Sequence, residues 1–491
     1  MLKKLGGDHR TYRVTPEIFG TRGTAPVSIE TRDGIGAARL QFATQDVTVS
    51  HEVSIADGSD PFSVSSRAVL TTPQDYALRV RMNEWVGALS ERNFRLFFIG
   101  QTTSQIGSGM APVAIAFAVL QHGTASDLGI VSAAGLTPLV VLLLVGGVIA
   151  DRFSRRVVML SSDLLRTTAE IGLGVWIFAA SPPLWGFMAL AAVVGVGSAF
   201  FNPALTGLVP QVVSEGKLLQ ANALNSLSGS MAGIIGPALA GIIIGISSPG
   251  WAVLIDGLTY AVSVLSLYMI SIEWAPSESI ETFMSQLQKG WTEFWSRTWL
   301  WVIVLEFSCV NVLIFAPMFV LGPVIAKQSL GGAPAWGLIL ALEGAGAVLG
   351  GVVMLRWNPA RPLLTATVAT LTWTFPLVAL AVRAPVLVIG AGGFAAGISL
   401  TIFGTLWTTT MQREIPSEVL SRVSAYDWFG SLVFLPIGMA VVGPIQEACG
   451  MTTTIVGAAI LLALFIGATL LVPSVTGMRS PAGRSPLVSD V

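Results

Sequence analysis

From about residue 94 to residue 473 the chain is a succession of apolar runs, each broken from the next by a short polar stretch. A hydrocarbon core about 30 Å thick takes roughly 20 helical residues, and only helices or closed barrels satisfy their backbone groups inside it. This single feature excludes nearly every soluble architecture. Composition agrees, since 53% of the 491 residues are hydrophobic and only 11% are charged, where soluble domains carry about a quarter charged residues. The fold class that follows is an all-α polytopic membrane protein.

Twelve spans are predicted, at 94–120, 128–150, 157–180, 184–213, 221–247, 251–273, 299–326, 334–356, 362–382, 385–411, 422–447 and 452–473. Basic residues test the count. Of 27, eight (Lys3 to Arg67) lie far before the first span and one, Arg166, inside a span. Sixteen fall at the juxtamembrane ends and in the loops after spans two, four, six, eight and ten, against only Lys327 and Arg383 on the opposite side. That bias predicts a multi-pass cell-membrane protein with both termini in the cytoplasm.

The domain reading is an extension at 1–90, a six-helix bundle at 91–273, a linker at 274–298, a second bundle at 299–475 and a tail at 476–491. The first 81 residues hold ten basic and nine acidic residues and no run fit for a span or a signal peptide. Such composition predicts disorder, or a translation start placed upstream of Met82, with a small regulatory domain as the alternative. Val47, Val49, Val53 and Ile55 alternate as in a β-hairpin. In the linker, Ile280, Phe283, Met284, Leu287, Trp291, Phe294 and Trp295 recur at helical spacing, the pattern of an amphipathic helix lying on the membrane face. A net charge of −1 gives nucleic acid no basic surface. Two cysteines (Cys309, Cys449) and three histidines, two of them before the membrane region, make no disulfide framework and no metal set. No cofactor is predicted.

The two halves repeat. GGVIADRFSRR at 146–156 is echoed by Gly350, Gly351, Arg356 and Arg361, without the acid of the first copy. The sequence VVSEGKLLQANALN after span four is echoed by EIPSEVLSRVSAYD at 414–427. Transporters use such paired halves to build a site between two rocking bundles. The chain in fact resembles the major facilitator superfamily. GGVIADRFSRR is similar to its loop motif after span two, and SGSMAGIIGPALAG at 228–241, with Gly233, Gly236, Pro237 and Gly241, is similar to the Gly-Pro motif of drug/proton antiporters. RNFRLFFIGQTTSQIG, FFNPALTGLVPQVV, LLQANALN and LIDGLTYAVS resemble the branch of macrolide-efflux and enterobactin-exporter proteins. The span-five pattern of the family asks for more glycine; Ala223, Ala232 and Ala240 stand there instead.

The resemblance implies a major facilitator fold and a conformational latch. Asp151, one turn after Gly147, would meet the N-terminus of span eleven, where unpaired N–H groups favour an anion. Arg152, Arg155 or Arg156 would pair with an acid such as Asp163, or would serve as topology determinants only. Asp163, Arg166 and Glu170 share one face of span three. Asp163–Arg166 reads as a structural pair, and Glu170 stays open between a paired and a working acid. A buried carboxyl whose hydration changes with access can carry a proton. The candidates are Glu306, then Glu343, with Glu170 and Asp256 behind them; spans one, four, seven and ten line the cavity in the family, which favours Glu306. Substrate-cavity candidates are Gln101, Gln105, Asn202, Asn311 and Trp407, few polar groups among many apolar ones, as suits an amphiphilic ligand.

The expected function is a monomeric secondary transporter that exports a small amphiphilic compound, such as a drug, antibiotic or siderophore, in exchange for protons. Uptake by proton symport is one alternative. A non-transporting sensor acting through the extension is another. No GxxxxGK[ST] loop for ATP and no catalytic constellation is present in the sequence, so an enzyme is not expected.

Overall fold

The computed structural model describes residues 87–272 and 283–480, together with short strands between residues 3 and 71; the side chains of 143–152, 283–289, 215, 417, 418 and 421 lie outside the described set. Met1–Gly87 and Ala88–Val491 are separate units. In the first, Lys3–Leu5 pairs with Thr11–Arg13, and four antiparallel strands follow in chain order: Ile29–Arg32, Ile35–Ala43, Thr48–Ile55 and Val69–Thr71. The alternation read at 47–55 falls on the central hairpin, where Val49 stands opposite Phe42 and Val53 opposite Ala38. These strands occupy part of the segment for which composition predicts disorder.

In the second unit a helix stands at every expected span. The first half runs Arg92–Val119, Ala125–Arg152, Arg155–Ala179, Leu184–Val212, Leu218–Ile246 and Pro249–Met269. After the linker helix Phe283–Ser296 come Thr298–Leu330, Ala333–Met354, Pro362–Ala381, Val386–Glu414, Ser417–Leu432 with Leu435–Cys449, and Met451–Leu470. Among the described residues ten helices are long and apolar enough to cross a membrane. The first and third are not among them. At 28 and 25 residues they are long enough to cross, but the third carries Asp163, Arg166 and Glu170, all buried, which lowers its mean hydropathy.

Span seven widens into π-turns at Asn311–Phe315 and Ala326–Leu330. The first is held by Asn311, whose Nδ2 donates to the carbonyls of Phe307 (2.9 Å) and of Ser431 in span eleven (3.1 Å). Span eleven breaks at Val433–Phe434, before the Leu435–Pro436 step noted in the sequence. Proline at the second position of the new helix needs no N–H partner, so the break leaves little unsatisfied.

The packing is asymmetric along the membrane normal. At the arginine-poor end one apolar core joins both halves, running from Met110, Val113 and Leu128 to Val320, Leu321, Met439 and Val442. At the arginine-rich end the core divides in two. One cluster, around Phe94, Met159, Leu208 and Ile270, belongs wholly to the first half. The other, around Phe294, Leu300, Phe403 and Val423, belongs wholly to the second. Among the described residues the cores of the two bundles therefore join at the arginine-poor end. The linker helix sits on the second half: Trp291 and Phe294 lie 5.4 and 6.1 Å from the Tyr426 ring, while Trp291 and Trp295 stay half exposed, as for a helix at a membrane surface. Ile280 of that pattern lies outside the described residues.

Candidate coupling site and gates

Glu306 of span seven is 0% exposed. Among the described residues its carboxyl meets two hydroxyls, Thr367 Oγ1 at 3.1 Å and Thr370 Oγ1 at 3.3 Å, both from span nine. Thr370 has one proton to give, and its 2.6 Å bond to the Thr367 carbonyl uses it. The longer contact to Glu306 is then filled only if the carboxyl itself carries a proton. Thr367 and Thr370 also have a counterpart. The offset that carries Gly146 onto Gly350 carries Asp163 onto Thr367 and Arg166 onto Thr370. The third helix of each half thus presents a polar pair one turn apart, charged in the first copy and hydroxylic in the second.

In the first copy, Arg166 Nη2 bonds Asp163 Oδ1, and Ser263 Oγ donates to Asp163 Oδ2 at 2.6 Å. The guanidinium is stacked 4.1 Å from the Phe201 ring centroid and 4.5 Å from that of Tyr260. Arg166 therefore serves Asp163 and not Glu170, whose Oε2 has no partner. Asp256 receives a long contact from Thr259 at 3.5 Å, and its Oδ2 has none. Removing Asp163 as Ala should strand a buried guanidinium and cost about 3–5 kcal/mol; thermal unfolding in detergent checks this against Ser263→Ala, which removes one hydrogen bond only.

Glu343 is half-buried and has no hydrogen-bond partner among the described residues. It faces a cavity of ≈ 20 Å³ lined by Ile314, Phe315, Met318, Trp373 and Leu400 among others, room for about one water. Trp373 is fixed there by Nε1 donating to the Ala396 carbonyl at 3.0 Å and by Phe315 at 5.4 Å.

The remaining predicted cavity residues act mostly as helix-to-helix contacts. Gln105 Oε1 accepts from Ser228 of span five at 2.9 Å, Asn311 ties spans seven and eleven, and Trp407 Nε1 donates to Asp427 Oδ2 at 3.1 Å. Gln101 is buried with Oε1 unpartnered, and Asn202 is exposed. Asp427, buried at 7% exposure, went unassigned in the sequence although it ends the 414–427 echo; its signal was an acid at the end of an otherwise matched repeat.

Gly147, Asp151 and Arg152 have side chains outside the described set, so the expected latch lies there too. Of its neighbours, Arg155 Nη1 donates to the Gly207 carbonyl at 2.5 Å, and Arg156 donates to those of Leu267 (2.8 Å) and Tyr268 (2.7 Å). Asp163 is occupied by Arg166 and Ser263, so Arg156 caps the C-terminal end of span six instead. The Gly-Pro motif is a seam. A side chain on Gly236 would come within 2.6 Å of Gly109 in span one, one on Gly241 within 2.9 Å of the Ala333 carbonyl in span eight, and Gly337 leans on the Pro237 carbonyl. Gly233 itself has open space, but its carbonyl lies 2.7 Å from where a Gly344 side chain would stand.

The clamp at the arginine-poor end was not legible in the sequence. Lys327 Nζ donates to the Leu120 carbonyl at the C-terminus of span one, and Ser126 Oγ, in the first turn of span two, donates to Glu447 at 2.7 Å. Both charges come from the second half and grip one loop of the first. Each sign matches the helix end it meets: a cation at a C-terminus and an anion at an N-terminus. Such contacts are worth roughly 0.3–1 kcal/mol each, so Lys327→Gln with Glu447→Gln should raise the population open at this end about 3- to 30-fold. Spin-label distances across that end read the change. At the arginine-rich end Glu91 accepts from Ser214 Oγ at 2.7 Å and pairs with Lys217 at 3.1 Å, and the Ser214 hydroxyl above all holds its carboxyl below the usual range.

Residues 97–438 match the model of the Major Facilitator Superfamily, and the chain belongs to that family. It is 24% identical over 369 residues to Macrolide efflux protein A of Streptococcus pyogenes, covering 73% of this chain and 89% of that protein. It is 25% identical over 376 residues to the multidrug efflux pump Tap of Mycolicibacterium fortuitum, covering 73% and 90%. Among solved structures it is similar in fold to the nucleoside transporter NupG, with a TM-score of 0.62 at 11% identity over 77% of this chain and 98% of that one. The chain is thus a membrane transporter, not an enzyme.

Proposed function

We propose that this chain exports a small amphiphilic compound across the cell membrane by proton antiport, with Glu306 as the proton carrier. The observation that carries the reading is a carboxyl at membrane depth with no cation beside it among the described residues, held by two hydroxyls of span nine. A charge so placed is costly, so a group of this kind changes protonation when access changes. Relatives named for macrolide and multidrug efflux support the outward direction. The basic loops place the divided end in the cytoplasm, so the clamped end faces outside and the state described is one that loads from within. Twelve spans and cytoplasmic termini belong to this reading, as does a latch at Asp151 that closes the inner end in the opposite state. Glu343, facing a water-sized cavity, is the second carrier.

Inside-out vesicles test it. A radiolabelled macrolide should accumulate when the interior is acid and should leak away on adding a protonophore. Accumulation indifferent to the protonophore, or proton-driven movement in the opposite direction, would overturn proton-coupled export.

A further inference from the structure

We infer that Glu170 and Asp256 form a second proton-binding site, buried in the first half and distinct from Glu306. The site lies between spans three and six. Its single cation, Arg166, is committed elsewhere: two aromatic rings hold the guanidinium in place and Asp163 takes its Nη2. Glu170, one turn past Arg166, is 4% exposed and Asp256 is 0% exposed. The two carboxyls lie within electrostatic reach of each other. A side chain on Gly257 would come within 3.1 Å of Glu170 Cβ, and one on Gly107 of span one within 2.5 Å of Asp256 Oδ1, so the backbones press close around both acids. The titratable and charged groups facing them are Asp163, Arg166 and Tyr260. Span one contributes Ser108, which bonds the Tyr260 hydroxyl at 2.8 Å, and span four contributes Gly197 and Phe201.

Charge arithmetic then requires a proton. Three ionised carboxyls against one guanidinium would leave two uncompensated negative charges in a site closed to water, and neighbouring carboxylates do not both ionise under those conditions. The unpartnered atoms are a second and separate sign. Glu170 Oε2, Asp256 Oδ2 and Arg166 Nε are all buried without a hydrogen bond, whereas a purely structural network leaves few such groups. A buried carboxyl oxygen that meets no donor is held at lower cost on a neutral, protonated acid than on a carboxylate. It can leave only when spans one, three and six part enough to admit water, which ties its release to the alternation of the bundles. The inference deepens the antiport reading by giving each half its own proton site.

The test needs no transported compound. Infrared difference spectra of the full chain in nanodiscs, stepped from about pH 5 to 9 across the carboxyl range of perturbed groups, report the C=O stretch of protonated carboxyls. In a Glu306→Gln/Glu343→Gln/Asp427→Asn background a titrating band should remain, and it should disappear when Glu170→Gln and Asp256→Asn are added. Either substitution alone should shift it, and the amide bands of the same spectra confirm folding. No titrating band in that background, or a band unmoved by both substitutions, overturns the site. Macrolide accumulation without the band would overturn this site alone, whereas the band without accumulation leaves the site standing and removes the export reading.

Discussion

Vesicles carrying Glu306→Gln should lose proton-driven macrolide accumulation while the purified protein keeps its thermal stability. Gln has nearly the shape of Glu and presents an oxygen to Thr367 and an amide to Thr370, so both contacts at 3.1 and 3.3 Å survive. No cation is left unpaired, because none stands beside Glu306. What disappears is the capacity to bind and release a proton. The contrast with Asp163 is direct: there the removed acid has a buried guanidinium as partner, and stability suffers first. A fall in accumulation of less than about tenfold, which corresponds to under ~1.4 kcal/mol, would show that Glu306 tunes the cycle without carrying the proton. Activity restored by Glu306→Asp would strengthen the assignment.

Gly129→Val and Gly443→Val should each hold the arginine-poor end open and stop transport at normal expression. Gly129 meets the Met439 carbonyl of span eleven, and a side chain on Gly443 would stand 2.5 Å from Ser126 Cα in span two. The two glycines form the seam on which the halves close. Overpacking of this kind costs typically 1–3 kcal/mol. Here the cost falls only on the state closed at this end, so the equilibrium moves by about 5- to 150-fold. Distances between spin labels at Cys449 and at His122→Cys should lengthen. Gly172, with no atom within 4 Å of an added side chain, is the control, and Gly172→Val should leave distances and transport unchanged. An unchanged distribution in both seam variants would mean that this end does not open between spans two and eleven.

The helical spans, the division into halves and the linker helix were legible because each rests on local periodicity and run length. Acids at membrane depth were also legible, since a charge within an apolar run is conspicuous whatever surrounds it. Their partners were not. Arg166 stands three residues after Asp163 and four before Glu170, spacings that suit either pair on a helix; Ser263, Phe201 and Tyr260, from other spans, decide for Asp163. Trp407 and Asn311 look like ligands in a list of polar residues, and prove to be ties because Asp427 and the Ser431 carbonyl lie opposite them. Asp151 is conspicuous in sequence, yet its side chain lies outside the described residues.

By itself the sequence determined the membrane class, the family and most of the buried carboxyls, all properties of composition and spacing along one helix. Only the tertiary structure decided which carboxyl has a cation, which two share a site, and which end is clamped by Lys327 and Glu447. Those depend on contacts between helices distant in the chain, and in lipid small residues and scattered polar groups select such contacts, not any periodic pattern a single helix displays.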